Sequence, residues 1–113
     1  MRSHLKIFKA LSDKNRLRIV KMLEVKPMCV CEITAVLKLA PSTVSKHLSL
    51  LHGAELIEDR KEGKWVNYYL PAKGRFPFAS EILKLLRRSL LDDADLQADR
   101  EKAKKVNRAE LSS

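Results

Sequence analysis

Residues 41–53, PSTVSKHLSLLHG, constrain the fold more than any other segment, because they carry signals for both ends of a helix and for its buried face. Val44, Leu48 and Leu51 recur at helical spacing and predict one apolar stripe. Pro41 suits the first helical position, where its missing N–H costs nothing, and the glycine that closes the segment suits a C-terminal stop. A helix here packs one face against a core and presents the other to solvent.

The opposite face of this predicted helix is polar and contains Ser42, Ser45, Lys46 and Ser49. Short hydroxyls and one long cation can approach phosphates or base edges without steric conflict, which makes this face a candidate for DNA binding. The alternative is an ordinary solvated helix face. The neighbouring segments decide between the two.

The segments before residue 41 complete a helix-turn-helix pattern. Apolar residues at helical spacing predict helices over 3–11 and 14–25, and MCVCEITAVL predicts a third helix over 28–37 with Cys29 at or near its N-cap. Residues 38–40 then leave room for only a short turn before the polar-faced helix. Two short helices joined by such a turn, the second with a polar face, are typical of helix-turn-helix DNA-binding domains.

After residue 53 the period changes from helix to strand. Residues 56–61 and 64–70 are rich in β-formers and flank Glu62 and Gly63, which predict a hairpin turn. The cations that gather at this tip are Arg60, Lys61 and Lys64. Such cations can simply protect an edge strand against aggregation. Directly after a helix-turn-helix, however, they favour a wing whose tip contacts DNA phosphates.

The C-terminal part is predicted to contain one more helix and a tail. Residues 77–91 carry an unusually wide apolar stripe, which indicates burial against a second subunit; plain packing on the domain is the alternative. The charged residues 92–113 predict a flexible tail. The expected fold class is α+β and mainly α, a homodimeric winged helix-turn-helix of order α-α-α-α-β-β-α, with one domain over 1–91.

Charge and composition narrow the class of protein. The formal net charge is +9, and basic side chains outnumber acidic ones two to one over residues 1–73, as expected for a nucleic-acid-binding domain. No apolar run approaches the roughly 18 residues of a membrane span and no signal-peptide pattern follows Met1, so we expect a cytoplasmic protein that does not bind membranes. Without a glycine-rich phosphate loop or a zinc-protease pattern, we do not expect an enzyme.

Four phrases, FKALSDKNRLRIVKML, MCVCEI, STVSKHLSLL and IEDRKEGKWVNYYL, resemble the ArsR/SmtB family of bacterial winged-helix repressors over about residues 5–91. The resemblance implies a homodimer that binds a palindromic operator in double-stranded DNA and releases it when an inducer binds. It places the DNA-reading residues at Ser42, Thr43, Ser45, Lys46 and His47. It places the wing at residues 60–64, with the cations Arg60, Lys61 and Lys64.

The resemblance also locates the inducer site. Other sensors of the family use ligands in the C-terminal helix or a cysteine in the N-terminal arm, but residues 79–91 contain no histidine and the arm contains no cysteine. The Cys-x-Cys pattern of the arsenic-responsive members is present at Cys29 and Cys31. Thr34 stands where some members have a third cysteine, so the third ligand stays open. The implied inducer is trivalent arsenic (arsenite), with antimonite as a related ion, and no cofactor is required for DNA binding.

The chemistry of the two thiols supports that inducer independently. Thiolates are soft donors that select thiophilic ions, and a helix N-terminus is expected to lower the pKa of a thiol. In a regular helix, residues i and i+2 point about 200° apart, so we expect chelation by Cys29 and Cys31 to open the first turn of the third helix. Two sulfurs with water or a small thiol suit pyramidal arsenic better than a structural zinc site, which takes four ligands.

Three other interpretations remain open. Cys29 and Cys31 can be small residues at a helix start, since free cysteine often behaves as a buried hydrophobe. Vicinal thiols also respond to oxidants, which makes a thiol redox switch the serious alternative, although a disulfide between residues i and i+2 would be strained. A DNA-binding protein of the same fold without any inducer is the third.

Overall fold

The computed structural model describes residues 1–111, and the last two residues of the predicted tail, 112–113, lie outside the described part. The helices are α1 (Arg2–Leu11), α2 (Lys14–Leu23), α3 (Val30–Leu37), α4 (Pro41–Gly53), α5 (Pro77–Arg87), α6 (Ala94–Lys105) and α7 (Arg108–Leu111). The strands are β1 (Met28–Cys29), β2 (Glu58–Glu62) and β3 (Trp65–Tyr69), which form one antiparallel sheet in the order β1-β3-β2. The mainly α, winged helix-turn-helix fold class is confirmed.

The helix-turn-helix forms through the local signals that the sequence carries. Helix α4 has Pro41 at its first position and ends at Gly53, and both bounds are as predicted. Helix α3 is capped by Lys38, whose φ of 58° lies in the left-handed region, and the chain then turns directly into α4. Asp13 accepts the backbone N–H of Arg16 at 3.0 Å, which fixes the start of α2.

One hydrophobic core holds these helices together. Fully buried members include Ile19 of α2, Ile33 of α3, and Val44, Leu48 and Leu51 of α4. Burial of each such aliphatic side chain stabilises the fold by about 1.5–3 kcal/mol. Because α4 uses its whole predicted stripe for this core, its polar face is left for solvent or a ligand.

Strand β1 is not evident in the sequence, yet it joins the cysteine segment to the hairpin. Met28 and Cys29 pair with Tyr68 and Asn67 of β3. Cys29 is the N-cap of α3, as the sequence predicts, and it has the extended backbone angles φ −86° and ψ 169°. The cysteine segment and the predicted wing therefore share one sheet.

The hairpin turn lies one residue later than the sequence predicts. Glu62 pairs with Trp65, so Gly63 and Lys64 form a two-residue turn. Gly63 has a φ of +61°, which a tight hairpin turn requires and which glycine adopts without the steric cost of a Cβ. Lys64 thus stands at the tip itself, whereas the other predicted wing cations lie in β2.

The charged segment after residue 91 differs from the flexible tail that its composition predicts. Helix α6 packs against α2 and α3, and Ala103 is buried in the core. Asp99, which is 3% exposed, accepts hydrogen bonds from Arg18 Nε at 2.8 Å and Nη2 at 2.9 Å. The sequence conceals this packing because the buried face of α6 carries an ion-paired carboxylate and an alanine in place of a stripe of large apolar residues.

A tight backbone contact closes the loop between the hairpin and α5. Gly74 donates its N–H to Ser80 Oγ at 2.9 Å. A Cβ at Gly74 would meet the backbone nitrogen of Ser80 at 2.5 Å and its Cα at 2.9 Å, closer than real Cβ contacts allow. Glycine therefore lets this loop lie directly against the first turn of α5.

Helix α5 uses only part of its apolar stripe within its own subunit. Leu83 is buried, whereas Leu85 is 47% exposed. Helix α1 exposes Leu5 by 50% and Phe8 by 55%, and the Phe8 ring packs edge-on against Phe78 of α5 at 5.5 Å. Leu85 follows Phe78 by two helical turns and thus shares its side of α5. We name this surface, Leu5, Phe8 and Leu85, the α1/α5 face.

No helix within residues 1–111 is long and apolar enough to cross a membrane.

Candidate nucleic-acid interface and thiol pair

The polar face of α4 is open to solvent. Ser42, Thr43, Ser45 and Lys46 are all exposed. They project from a helix whose opposite side is anchored in the core, so the fold holds them in a fixed relation to the rest of the domain. A rigid helix with short hydrogen-bonding side chains suits the major groove of B-DNA, which is about 12 Å wide.

His47 differs from the other predicted DNA-reading residues because it is half-buried. Its Nδ1 lies 3.5 Å from Nη1 of Arg16. The same guanidinium donates to the carbonyl oxygens of Ala10 at 2.8 Å and of Lys9 at 3.1 Å. Arg16 therefore ties the end of α1 to α4. The sequence alone shows it only as a cation on the flank of a helix.

The predicted wing cations are exposed but make different contacts. Lys64 Nζ lies 4.7 Å from the centre of the Trp65 ring, and Lys61 lies on the exposed surface of β2. Arg60 Nε donates to Glu62 Oε1 at 3.0 Å. Because an exposed ion pair contributes only about 0–1 kcal/mol, a phosphate can compete with Glu62 for Arg60.

Helix α4 and the hairpin lie side by side. A cavity of about 200 Å³ between them is lined by Ser45 and Ser49 of α4 and by Asp59 and Tyr68 of the sheet. His52 Nε2 lies 3.3 Å from Asp59 Oδ1, which joins the end of α4 to β2. The fold thus brings the predicted recognition helix and the predicted wing onto adjoining surfaces.

The two sulfurs of the Cys-x-Cys segment are neighbours. Both cysteines are free, and Cys29 Sγ lies 2.8 Å from Cys31 Sγ. Two sulfurs that each bind one ion at roughly 2.3 Å can be at most about 4.6 Å apart, so this pair can reach a single ion. The expectation that chelation must open the first turn of α3 is wrong, because Cys29 precedes the helix and does not follow the helical rotation.

The pKa of Cys29 is also opposite to the sequence-based expectation. Burial, followed by the contact with Cys31, raises the pKa of the Cys29 thiol to about 12. Cys29 is only 2% exposed, and the lost solvation of its thiolate outweighs the helix N-terminus and the backbone N–H of Glu32. Cys29 is therefore protonated at neutral pH, and any ligand must take the place of that proton.

A third ligand does not stand beside the thiols. Within residues 1–111, no group of three or more His, Cys, Asp and Glu side chains could hold a metal ion. Glu32 is engaged elsewhere, since its Oε1 accepts the N–H of Cys29 at 3.0 Å and its Oε2 accepts the N–H of Arg108 at 3.3 Å. Thr34 Oγ1 is buried and has no hydrogen-bond partner among the described residues.

The chain matches a known family of regulators in sequence. The family profile described as "Bacterial regulatory protein, arsR family" matches residues 13–59, from the cap of α2 into β2. An uncharacterised HTH-type transcriptional regulator of Methanocaldococcus jannaschii is 47% identical over 81 residues, which cover 71% of this chain and 86% of that protein. The chain belongs to the ArsR family of bacterial regulatory proteins.

Two further relatives extend the comparison. The arsenical resistance operon repressor of Escherichia coli K12 is 43% identical over 67 residues, 58% of this ArsR-family chain and 57% of that repressor, so the match spans little more than half of the relative. The NMR structure of the cadmium metal-sensor CMTR from Mycobacterium tuberculosis is 30% identical and aligns with a TM-score of 0.60 over 77% of this chain and 83% of that one. These relatives are regulators and sensors, so the expectation that the chain is not an enzyme is confirmed.

Proposed function

We propose that this ArsR-family protein is a transcriptional repressor that binds operator DNA as a homodimer and releases it when trivalent arsenic binds Cys29 and Cys31. The 2.8 Å separation of the two sulfurs carries the proposal. The relative named as an arsenical resistance operon repressor supports the choice of inducer, and the cadmium metal-sensor makes a divalent thiophilic cation the competing choice. The protein would act in the cytoplasm, where thiols stay reduced.

In the proposed complex, α4 lies in the major groove and the hairpin contacts flanking phosphates. A two-fold axis would place two copies of α4 in successive major grooves, about 34 Å apart. The residues that we assign to DNA are Ser42, Thr43, Ser45, Lys46 and His47 of α4 and Arg60, Lys61 and Lys64 of the hairpin.

Lys46→Ala is expected to weaken operator binding roughly tenfold, because each subunit loses one phosphate contact, and to reduce the salt slope by about one per subunit. Fluorescence anisotropy with labelled operator at several salt concentrations measures both quantities. Lys84→Ala is the matched control, since the Lys84 side chain is 73% exposed on α5. A Lys46→Ala variant with the wild-type salt slope would remove this face of α4 from the interface.

Arsenite suits the Cys29–Cys31 pair, in which the buried Cys29 thiol is protonated. At neutral pH it is the uncharged acid As(OH)₃, which condenses with two thiols: As(OH)₃ + 2 RSH → (RS)₂AsOH + 2 H₂O. Each thiol proton leaves in a water molecule, so no net proton is released. A divalent cation instead displaces the thiol protons into solvent. Because the pKa of Cys29 is about 12, removing its proton costs free energy at neutral pH, and this cost disfavours cadmium binding. Arsenite binding does not carry this cost, because it releases no net proton.

The affinity for cadmium is therefore expected to rise by about tenfold per pH unit between about pH 6 and about pH 8 through Cys29 alone. The sign follows from the raised pKa: over this range Cys29 holds a proton, and each unit of pH makes its loss tenfold easier. Arsenite affinity is expected to change less than about threefold over the same range. Calorimetric titrations at three pH values check both slopes, and a proton-linked arsenite affinity would contradict the condensation.

A thiol redox switch is the second candidate function, favoured by the same close approach of the sulfurs. Oxidation by a peroxide would join Cys29 and Cys31: 2 RSH + H₂O₂ → RSSR + 2 H₂O. Operator-binding titrations with arsenite, antimonite, cadmium, zinc and peroxide separate the candidates. Release by arsenite in the presence of a monothiol reductant supports the metalloid sensor, whereas release by peroxide alone supports the redox switch.

A further inference from the structure

A chain of polar contacts joins the cysteine segment to the C-terminal segment. Glu32 Oε1 accepts the N–H of Cys29 at 3.0 Å, and Glu32 Oε2 accepts the N–H of Arg108 at 3.3 Å. Glu32 is 6% exposed, so its bond to Cys29 is shielded from water and is stronger than an equivalent surface bond. The carboxylate that caps the cysteine turn is thus also held by the first residue of α7.

The side chain of Arg108 continues these contacts to the hairpin. Its Nη1 donates to Asn67 Oδ1 at 2.8 Å, and its Nη2 lies 3.7 Å from Glu62 Oε2. Its guanidinium carbon lies 4.5 Å from the centre of the Trp65 ring. Asn67, 6% exposed, donates in turn to Glu62 Oε2 at 2.7 Å. Arg108 therefore contacts both strands of the hairpin, next to its turn.

We propose that Arg108 is a positioning residue that transmits occupation of the Cys29–Cys31 pair to the wing; this inference rests on the proposed inducer response. An ion bound at roughly 2.3 Å to two sulfurs, with an angle of 90° or more between the bonds, holds them at least about 3.3 Å apart. Such an ion replaces the direct contact between the two sulfurs and alters the Cys29 side chain, whose backbone N–H donates to Glu32 Oε1. Arg108 passes this change from Glu32 to Asn67 and Glu62.

A competing route for the same signal is the backbone pairing of β1 with β3, in which Cys29 is opposite Asn67. That pairing does not involve Arg108 and persists when the arginine is replaced. The two routes are therefore separable by mutation. If the sheet alone transmits the signal, replacing Arg108 changes nothing. If Arg108 transmits it, the variant still binds DNA and still binds a ligand at the thiols, but the ligand no longer changes DNA affinity.

The first arm of the test uses Trp65, the single tryptophan of the chain, and needs no DNA. Phenylarsine oxide, a trivalent arsenical that takes two thiols, is titrated into the wild type, Arg108→Ala and the control Arg100→Ala, which removes an exposed cation from α6. We expect a Trp65 emission change on thiol occupation in the wild type and the control, reduced at least fivefold in Arg108→Ala. A wild-type emission that does not respond, or an equal response in Arg108→Ala, overturns the inference.

The second arm measures operator affinity with and without arsenite in the same three proteins. We expect Arg108→Ala to bind operator and arsenite separately within about fivefold of the wild type, while the ratio of operator affinities without and with arsenite falls at least tenfold. A ratio equal to that of the wild type overturns the inference. If arsenite leaves wild-type operator binding unchanged, the proposed function fails instead, and the Trp65 arm still decides whether Arg108 links the thiols to the wing.

Glu32→Gln breaks the same link from its other end. Glutamine keeps the helix-capping role of residue 32, but an NH2 donor replaces one of the two carboxylate oxygens, so the separate acceptors for Cys29 and Arg108 are no longer both present. We expect this variant to lower the arsenite-dependent ratio as Arg108→Ala does. Wild-type coupling in both variants would assign transmission to the β1–β3 pairing.

Discussion

Serine in place of Cys29 or of Cys31 is expected to leave the protein on its operator at arsenite concentrations that release the wild type. Both sulfurs are needed, because the structure offers no cluster of alternative ligands within residues 1–111. Loss of one As–S bond should reduce arsenite affinity by at least a hundredfold. Operator-bound fraction against arsenite concentration, measured by anisotropy, gives the effect directly, and a cell that carries either variant should show constitutive repression.

Neither cysteine variant should unfold the domain. Serine is a good N-cap residue, and at position 29 its hydroxyl can accept the backbone N–H that the cysteine sulfur now faces, so the expected cost is about 1 kcal/mol or less. Val30→Ala, between the two thiols, is the control that keeps both ligands. If either serine variant left the operator at the arsenite concentrations that release the wild type, the two-thiol site would be refuted. Loss of operator binding in both without any ligand would make the cysteines structural.

Phe8→Glu is expected to dissociate the proposed homodimer and to weaken operator binding at least a hundredfold. Phe8 is 55% exposed in one subunit, so glutamate there is solvated in the monomer. In a dimer formed through the α1/α5 face, the same carboxylate would be buried without a partner, at a cost of about 3 kcal/mol or more. Analytical ultracentrifugation at micromolar concentration measures the association, and circular dichroism checks that the monomer stays folded.

The choice of Phe8 follows from how the subunit uses α5. Leu86 belongs to the predicted stripe but is partly buried against the core of its own subunit, so a charge there would disturb folding as well as association. Leu111→Glu, at a side chain 44% exposed in α7, is the control and should remain dimeric. A Phe8→Glu protein that sediments as the wild type does would place the subunit contact elsewhere.

The sequence was sufficient for the helix-turn-helix because the signals that define it are local. Pro41 and Gly53 mark both ends of α4 within the helix itself, and the stripe of Val44, Leu48 and Leu51 needs only the helical period to be recognised. The exposed polar face follows from the same pattern. Such features depend on neighbours along the chain and not on the rest of the fold.

The sequence located the two thiols but could not predict the orientation of Cys29 or the direction in which its pKa is shifted. The orientation of Cys29 depends on its pairing with Asn67 in β3, and its raised pKa depends on burial by distant segments. Arg108 meets Glu32 across 76 positions of the chain. Helix α6 was missed because Asp99 is buried through its ion pair with Arg18, a pattern that composition interprets as solvated charge.

The contact between Gly74 and Ser80 has a consequence for the length of DNA that a dimer could span. It fastens the loop that follows the hairpin to the first turn of α5, and α5 is the helix on which the proposed subunit contact is built. The separation of the two wings in the DNA-bound dimer would then depend on this junction in each subunit. Operators lengthened or shortened by one or two base pairs between half-sites would be rejected, because the second wing would arrive out of phase with its groove.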